Sequence, residues 1–520
     1  MIARNRTTWL ALAGILGLGL LLRLWNIDHD LPFVYNADEE LHFVPKAVDM
    51  LGGSLNPGYF ENPPALTYLL FVLYRIGLGA GDLSDRFLVA RVVVALIGTG
   101  VIALVYWAAW RFTARRTTAI LSAAVMAVAF LPVFYSKHAL NDAVTMAPVA
   151  IGLVGCLLVY RRGRTWDWVL AGAAIGVACA VKYTAGAMLV ALLIAAALRV
   201  YEDRTQLRSA ILGLVIGGAC FFVAFAILNP YGVLHPGELR SQVSGQSSQA
   251  GTAKLGQDEL PGWWYYLGSL TWGLGWVPLI AAIGGGVVLL RRDWKLALLL
   301  IVFPVLLWLY MSTQTRHFGR WLMPVYPALC ILAGIGAVAL IDRLRWKPAI
   351  LTGLIAVLLC GQGLAASVHI DRVFGRADTR TQARNWMLGH IPRGSKIVVE
   401  PFIPGNWTPK RFEAWPVPRP YQAYEKNLTP GLVDEYRARG FCWVVVGSHQ
   451  KDRGLSAGLG NAYRYYQALD AASQQTVTFS PYRKGATPVR FSYDDSFNYR
   501  PFAYERPGPV VEIHHLADCA

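Results

Sequence analysis

Long apolar runs alternate with short polar connections over the first two thirds of the chain, and most runs hold about 15 to 25 residues. A helix needs about 20 apolar residues to cross the hydrocarbon core of a bilayer, so each run is a candidate transmembrane helix. We predict eleven spans, at approximately residues 8–25, 88–110, 118–135, 143–160, 167–181, 184–199, 209–229, 264–290, 296–311, 321–341 and 348–367. The pattern indicates a polytopic α-helical membrane protein.

A second pattern begins near residue 368, where short apolar strands alternate with amphipathic helices. Helices are expected around 380–388, 432–439 and 462–472, and strands at 397–399, at 442–446, near 477 and at 510–513. The Pro-rich stretch 401–420 predicts a surface loop. We therefore predict a transmembrane domain at 1–367 and a small α/β domain at 368–520.

The charged residues agree with a membrane protein and exclude a nucleic-acid-binding one. Of the 520 residues, 55% are hydrophobic and 15% are charged, and the net charge is +16. The basic residues cluster in alternate connections, as the positive-inside rule requires of cytoplasmic loops. These clusters lie at 111–116, 161–164, 199–208, 291–295 and 343–347. We expect membrane lipids, and no nucleic acid, among the partners.

The apolar stretch from Pro64 to about Ala80 decides the orientation. It is short, begins with two prolines and contains Arg75, which favours a helix lying at the membrane interface. With that placement all five basic clusters join Arg4 and Arg6 on the cytoplasmic side, whereas a full crossing would put them outside. We predict a cytoplasmic amino terminus and an extracytoplasmic C-terminal domain, which in a bacterium lies on the periplasmic face of the cytoplasmic membrane. The first run ends without a small-residue cleavage site, so we expect it to be retained as a span.

Seven cysteines are present, and five of them lie in apolar runs, where a small buried hydrophobic side chain is the expected role. Cys442 and Cys519 lie in the tail. They could form a disulfide if the tail is outside the cytoplasm, but the sequence leaves this open.

The acidic pair Asp38-Glu39 follows the first span and precedes an amphipathic stretch suited to an interfacial helix. Interfacial helices are expected over about residues 38–80. A carboxylate at the mouth of a membrane bundle is placed for chemistry on a lipid-linked substrate. The structural alternative is that Asp38 caps the helix that follows it.

Further polar residues lie on the same predicted outer face. Asn141-Asp142 makes a second acidic point that could equally be a helix cap. Arg316 and Arg320 flank a turn where cations run against the charge bias, so they are candidates for a lipid phosphate, with headgroup anchoring as the alternative. Lys182 and Arg91 share that ambiguity. Candidates for the acceptor or donor region are His42, His138, Tyr183 and His317.

The sequence has no zinc-ligand spacing, P-loop or nucleotide-binding fingerprint. An enzyme of this kind needs a substrate that is already activated on the outer face, and a sugar on a polyprenyl phosphate fits. The segment Leu239 to Gln257 is rich in Ser, Gln and Gly, so it predicts either a mobile segment that orders over a substrate or a plain flexible linker.

Several short motifs, in order, resemble the GT-C glycosyltransferases of the protein O-mannosyltransferase and aminoarabinose-transferase-like group. The resemblance covers nearly all of residues 1–367. The motifs are Asn36-Ala37-Asp38-Glu39, Glu61-Asn62-Pro63-Pro64, Asp85-Arg86 through Arg91, Asn141-Asp142, Lys182-Tyr183-Thr184, Asn229-Pro230-Tyr231, Trp263 to Tyr266 and Arg316-His317-Phe318-Gly319-Arg320. The tail is similar to that of bacterial members at Asp378-Thr379-Arg380.

The resemblance implies a polyprenyl-phosphate-sugar donor and inversion at the anomeric carbon. It implies that Asp38 is the general base, that Glu39 assists by positioning, and that Asp142 completes the acidic site. Arg316 and Arg320 would stabilise the departing lipid phosphate. Many relatives carry a basic residue where this chain has Asn62, so part of a phosphate or acceptor contact must differ. Metal use varies among relatives and is not assigned, and the acceptor could be a protein, a glycan or a lipid.

Two other functions compete with an enzyme. A transporter or lipid flippase predicts ionisable residues near mid-membrane and an internal repeat, and the sequence shows neither. A scaffold that displays the tail as a binding module would leave the outer-face acids and arginines without a shared purpose.

Overall fold

The computed structural model describes residues 2–344, 347–404, 406–418 and 421–519. The chain divides into two compact units. The helical unit comprises Met1–Ile27, Leu41–Thr252 and Leu260–Val368. The sheet unit comprises Asp28–Glu40, Ala253–Glu259 and His369–Ala520. Arg345 of the last basic cluster, and residues 405, 419 and 420 of the Pro-rich stretch, lie outside the described residues.

Nine helical segments among the described residues are long and apolar enough to cross a membrane. They are Arg6–Leu24, Leu83–Thr113, Asn141–Arg161, Tyr183–Glu202, Arg204–Leu228, Gly262–Arg292, Trp294–Ser312, Gly319–Leu344 and Pro348–His390. The other two predicted spans coincide with shorter apolar helices, Arg116–Val128 and Thr165–Val181. The predicted polytopic helical fold is confirmed.

The predicted span 118–135 is broken after Val128, and side chains from elsewhere in the chain bind the backbone carbonyls there. It forms two helices, Arg116–Val128 and Phe130–Tyr135. Pro132 has no N–H to donate to the carbonyl of Val128, and the hydroxyl of Ser367 donates to that oxygen instead, at 3.0 Å. The buried guanidinium of Arg23 donates to the carbonyls of Ala127 and Met126, at 3.0 and 3.2 Å. Hydropathy alone does not reveal these distant donors.

Short helices form where interfacial helices were predicted. They are Ala37–Leu41, Phe43–Met50 and Ala65–Arg75. The third has 11 residues, so it is about 16 Å long and too short to cross about 30 Å of hydrocarbon. Phe43–Met50 buries its apolar side chains and packs against Ala65–Arg75.

Most of the Ser/Gln/Gly-rich segment 239–257 is helical, which contradicts the prediction of a plain flexible linker. After the short helix Pro230–Leu234, a 15-residue helix runs from Pro236 to Ala250. Proline in the first turn suits a helix start because the first N–H groups have no partner within the helix. The contacts that hold this helix come from elsewhere in the chain and are described with the site.

The sheet unit contains a five-stranded mixed sheet, which confirms the predicted small α/β fold. The strands are β1 (Lys396–Val399), β2 (Glu413–Ala414), β3 (Trp443–Gly447), β4 (Ser473–Phe479) and β5 (Val511–Leu516), in the spatial order β2-β1-β3-β5-β4. Strand β1 pairs in parallel with β2 and β3, and β5 pairs antiparallel with β3 and β4.

Among the described residues that follow the long helix Pro348–Phe374, six helices accompany this sheet. Pro348–Phe374 is followed by Thr379–His390, Tyr421–Asn427, Gly431–Ala438, Ser448–Ser456, Gly460–Ala472 and Tyr493–Asn498. The three predicted helices and all the predicted strands are present. The sequence analysis missed β2 and the helices at 421, 448 and 493, which lack a clear apolar period.

The two faces of the sheet carry separate apolar cores. Val444 and Val446 of β3 belong to one core, and Val445 belongs to the other. Successive side chains of a strand point to opposite faces, so a strand covered on both sides is apolar throughout, as Trp443–Gly447 is.

Cys442 and Cys519 form a disulfide that links the start of β3 to the end of the chain beyond β5. The sequence had left this pairing open. The other five cysteines are free thiols.

Candidate active site

The acidic segment starts a helix that is capped by Asn36 and not by Asp38. The side-chain oxygen of Asn36 accepts from the backbone N–H groups of Asp38 and Glu39, at 3.1 and 3.2 Å. Asp38 is half-buried and Glu39 is fully buried. The predicted capping role of Asp38 is therefore taken by another residue, and its carboxylate is held in the first helical turn without serving as the cap.

Asp142 and Lys182 form a buried ion pair in the helical unit. Their side chains are 6% and 13% exposed, and the ammonium donates to the carboxylate. The neighbouring Asn141 donates its amide to the backbone carbonyl of Val181, at 2.7 Å. Neither Asn141 nor Asp142 caps its helix, so the sequence alternative of a helix cap is wrong here.

Arg320 joins this pair. The segment Gly319–Val325 packs against the helix that begins at Asn141, and the guanidinium of Arg320 is close enough to repel the ammonium of Lys182. The guanidinium also lies over the ring of Tyr135, 5.6 Å from its centroid. The structure thus brings three predicted site residues together as one cluster, which we call the Asp142 cluster: Asp142, Lys182 and Arg320.

Arg316 binds the C-terminal end of helix Pro236–Ala250. Its Nε donates to the carbonyl of Thr252 at 3.2 Å and its Nη1 to the side chain of Gln249 at 3.4 Å. Its backbone N–H, like that of Thr315, donates to the carbonyl of Ala250. These bonds satisfy carbonyls at the end of helix Pro236–Ala250, where a cation is also favoured by the helix dipole.

His42 and Tyr183 meet at the loop that precedes the two prolines. The ring of His42 stacks on Tyr59 at 5.1 Å, and the hydroxyl of Tyr183 donates to the carbonyl of Phe60 at 3.0 Å. Gln242 of helix Pro236–Ala250 accepts from the N–H of Phe60 at 2.6 Å. Asn62, which stands where relatives carry a basic residue, donates to the hydroxyl of Tyr59 at 2.6 Å.

The three remaining predicted residues are Arg91, His138 and His317. Arg91 is buried and donates to the carbonyl of Ile27 at 3.2 Å. His138 is buried, with Nδ1 3.0 Å from the carbonyl oxygen of Phe134. His317 stacks on Tyr265 at 4.8 Å, and its burial lowers its pKa, which favours the neutral ring.

Sequence reasoning missed two residues that shape these groups, Tyr135 and Gln242. Tyr135 lies in an apolar run and Gln242 in a low-complexity segment, so no local signal marked either of them. Within the described ranges, no group of three or more His, Cys, Asp or Glu side chains is arranged to hold a metal ion.

The Asp142 cluster has the electrostatic character of an anion site. A lysine and an arginine side chain lie beside one buried carboxylate, in surroundings of low polarity where charge interactions are strong. Arginine can donate two parallel N–H bonds to a phosphate, and lysine acts as a point charge. An anionic group brought to this cluster would be stabilised.

Comparisons with known proteins agree with the fold and with this chemistry. Residues 61–228 match the family model described as dolichyl-phosphate-mannose-protein mannosyltransferase, and residues 259–381 match that of the Alg9-like mannosyltransferase family. No curated protein matches the chain in a sequence search.

Two solved structures illustrate the similarity of fold. The oligosaccharyltransferase of Archaeoglobus fulgidus in the apo form has 13% identity and a TM-score of 0.57, over 94% of this chain and 75% of that one. ArnT from Cupriavidus metallidurans bound to undecaprenyl phosphate has 14% identity and a TM-score of 0.53, over 99% of both chains. The predicted resemblance is confirmed: the chain is a glycosyltransferase, two of its segments match mannosyltransferase family models, and its fold is similar to those of these solved enzymes.

Proposed function

We propose that the chain transfers a monosaccharide from a polyprenyl-phosphate carrier to an acceptor hydroxyl, with inversion at the anomeric carbon. The observation that carries this proposal is the Asp142 cluster in the helical unit, in which a lysine and an arginine side chain accompany one buried carboxylate. It is supported by the two mannosyltransferase family models. ArnT with undecaprenyl phosphate, and an archaeal oligosaccharyltransferase with dolichol-phosphate, are relatives of this fold that bind such lipids.

In the proposed reaction Asp38 removes the proton from the acceptor hydroxyl as its oxygen attacks the anomeric carbon. A carbon–oxygen bond forms there while the bond from that carbon to the phosphate oxygen breaks, and the polyprenyl phosphate leaves as an anion. The proton stays on Asp38 until it is lost to water. A single displacement inverts the anomeric configuration and needs one base, so no covalent sugar–enzyme intermediate forms.

The proposal gives the remaining residues supporting roles. Arg320 and Lys182 stabilise the negative charge on the departing phosphate, and Asp142 holds Lys182 in place. Glu39 assists Asp38 by positioning. Arg316 supports the phosphate site through helix Pro236–Ala250, whose end it binds.

We propose that transfer takes place on the outer face of a bacterial cytoplasmic membrane, with the amino terminus in the cytoplasm and the sheet unit outside. The shortness of Ala65–Arg75 supports this orientation, because a helix that cannot cross leaves all five basic clusters on the cytoplasmic side. The acceptor is a hydroxyl of a protein, a glycan or a lipid. A relative of this fold has been captured with an acceptor peptide.

The test is mass analysis of polyprenyl-phosphate sugars and envelope glycans in a strain lacking this protein. We expect one lipid-linked sugar to accumulate and one modification to disappear, with both restored by the wild-type chain and not by Asp38→Asn. Asp49→Asn, an exposed acid on the next helix, is the matched control and should restore both. If donor and glycan profiles do not change on deletion, the proposal is wrong.

A further inference from the structure

The acidic segment belongs structurally to the sheet unit, although it follows the first span in sequence. Residues Asp28–Glu40 form one compact unit with His369–Ala520. Asp38 and Glu39 are therefore held by a fold whose other residues lie more than three hundred positions away. Side chains near the start of this segment make the attachment.

Tyr35 is the main anchor of the segment. It is 7% exposed and is part of the core that contains Ala383 and Met387 of helix Thr379–His390. The guanidinium of Arg380 lies over its ring, 3.9 Å from the centroid. Its hydroxyl is 2.8 Å from the side-chain oxygen of Thr381. Core packing, a cation–π contact and a hydrogen bond thus meet on one side chain.

Arg380 is itself rigidly held. Its Nε donates to one carboxylate oxygen of Asp378 at 2.9 Å and its Nη2 to the other at 2.7 Å, and both side chains are almost fully buried. Nη2 also donates to the hydroxyl of Tyr499 at 3.1 Å. Asp378 in turn caps the helix by accepting from the backbone N–H of Arg380 at 2.7 Å. The planar guanidinium of Arg380, fixed in this way, packs rigidly against the ring of Tyr35.

Two further contacts attach the start of the segment. The ring of His29 stacks on Phe374 at 3.9 Å, and Arg384 lies over the ring of Phe33 at 5.0 Å. Only two residues separate Tyr35 from Asp38, and the first of them is the capping Asn36. The position of the Asp38 backbone is thus determined by the anchored tyrosine and the capped helix that follows it.

We propose that Tyr35 and Arg380 are positioning residues for the acidic pair, so that the sheet unit sets the location of the base. This inference rests on the proposed role of Asp38. Displacement of a catalytic group by about 1 Å can lower a rate about a hundredfold, so a loose segment would slow the chemical step and leave donor binding intact. The sheet unit is then a working part of the catalytic apparatus.

The experiment compares Tyr35→Leu and Tyr35→Phe in the full-length purified chain. Leucine keeps an apolar core residue but loses the ring and the hydroxyl, whereas phenylalanine keeps the ring over Arg380. Matched controls in the same unit are Tyr463→Leu, an exposed tyrosine, and Arg439→Met, whose guanidinium lies 4.3 Å from the ring centroid of Trp415. Sugar transfer is measured as kcat and KM for the lipid donor, and hydrogen exchange is followed in residues 33–41 and in strand β3.

We expect Tyr35→Leu to lower kcat about tenfold or more while KM changes little, and Tyr35→Phe to recover most of the rate. Exchange in 33–41 should rise in the leucine variant while β3 stays protected, and both controls should behave like the wild type. If Tyr35→Leu frees residues 33–41 but keeps the wild-type kcat, or leaves their exchange unchanged, the positioning role is refuted. If Asp38→Asn retains full transfer, the base assignment fails instead, and hydrogen exchange still reports separately whether the anchor holds the segment.

Discussion

Two groups of buried acids, one in each unit, have partners of different kinds. In the helical unit Asp142 faces the ammonium of Lys182, with Arg320 nearby. In the sheet unit Glu400 and Glu425 are buried together, and their hydrogen-bond donors are neutral. Glu400 accepts from the hydroxyl of Tyr424 at 2.9 Å, and Glu425 accepts from Gln450 at 2.7 Å and from Tyr466 at 3.2 Å.

The difference shows that the partner decides whether a buried acid carries charge. Burial, with the neighbouring Glu425, raises the pKa of Glu400 well above its ordinary value, and burial raises the pKa of Glu425 to about 7. The raised pKa values favour the protonated, uncharged form of both carboxyls. The Asp142 cluster instead keeps charges that can act on an anionic substrate.

Replacing Lys182 would remove the ammonium that pairs with the buried Asp142. This change has the largest expected effect on the free energy of unfolding. Lys182→Met leaves Asp142 buried without its cation, so the free energy of unfolding should fall by about 3 to 5 kcal/mol. Equilibrium unfolding of the detergent-solubilised chain measures the change. Asp142→Asn combined with Lys182→Met should recover most of the loss.

The matched control is Lys295→Met, because Lys295 pairs with Glu202 at 2.6 Å near the surface, with side chains 24% and 43% exposed. The pair of Lys295 and Glu202 should contribute about 1 kcal/mol or less to the free energy of unfolding. Equal effects of the two lysine variants would contradict a special role for the buried pair.

The contribution of Glu425 to the stability of the sheet unit should fall as pH rises, because this buried acid binds a proton more tightly when the chain is folded. With a folded pKa of about 7 against 4.5 in the unfolded chain, the contribution of Glu425 is fully present below pH 4.5 and is lost as pH rises to 7. The loss is roughly 3 kcal/mol. Hydrogen exchange of strand β3 between pH 4 and 8, corrected for the intrinsic exchange rate, should follow it.

Glu425→Gln should remove much of this pH dependence, since a neutral amide has no proton to lose. At pH 8 the variant should be more stable than the wild type. Glu413→Gln, at an exposed strand position, is the control and should leave the profile unchanged. If Glu425→Gln keeps the pH profile of the wild type, the assignment of a protonated Glu425 in the fold is wrong.

Arg320 separates the electrostatic function of the Asp142 cluster from its structural one. Arg320→Met should weaken binding of polyprenyl phosphate by about tenfold or more, from loss of charged hydrogen bonds of about 1.5 to 3 kcal/mol. Arg320→Lys keeps the charge, so its affinity for polyprenyl phosphate should lie between those of the wild type and of Arg320→Met. Native mass spectrometry of the lipid complex measures the affinity.

The control is Arg115→Met, which breaks an exposed pair with Asp342. It should leave lipid affinity unchanged. Wild-type affinity in Arg320→Met would remove the cluster from the phosphate site.

The parts of the fold that follow from local pattern were predictable. Each of the nine long apolar helical segments among the described residues overlaps a predicted span, and the uniformly apolar Trp443–Gly447 forms the doubly covered strand β3. Helix Thr379–His390 begins at Asp378, which acts as its cap. Each of these features depends on a period or a cap within a few residues.

The features that were missed depend on distant partners. Pro132 marks the break after Val128, but the donors that bind the carbonyls there are Ser367 and Arg23, and the helix Pro236–Ala250 is held by Arg316. The candidate site shows the same division. Asp142 and Lys182 were each identifiable, but their pairing, 40 positions apart, was not. The attachment of Asp38 through Tyr35 to Arg380 could not be seen at all, because nothing local links residue 35 to residue 380.

The most direct test of the account is the single-turnover rate of sugar transfer by purified Asp38→Asn, measured together with its affinity for the lipid donor. The amide keeps the shape of the side chain and cannot take a proton, so the rate should fall by about a hundredfold or more while donor affinity and folding stay as in the wild type. A wild-type transfer rate in this variant would contradict the assignment of Asp38 as the base.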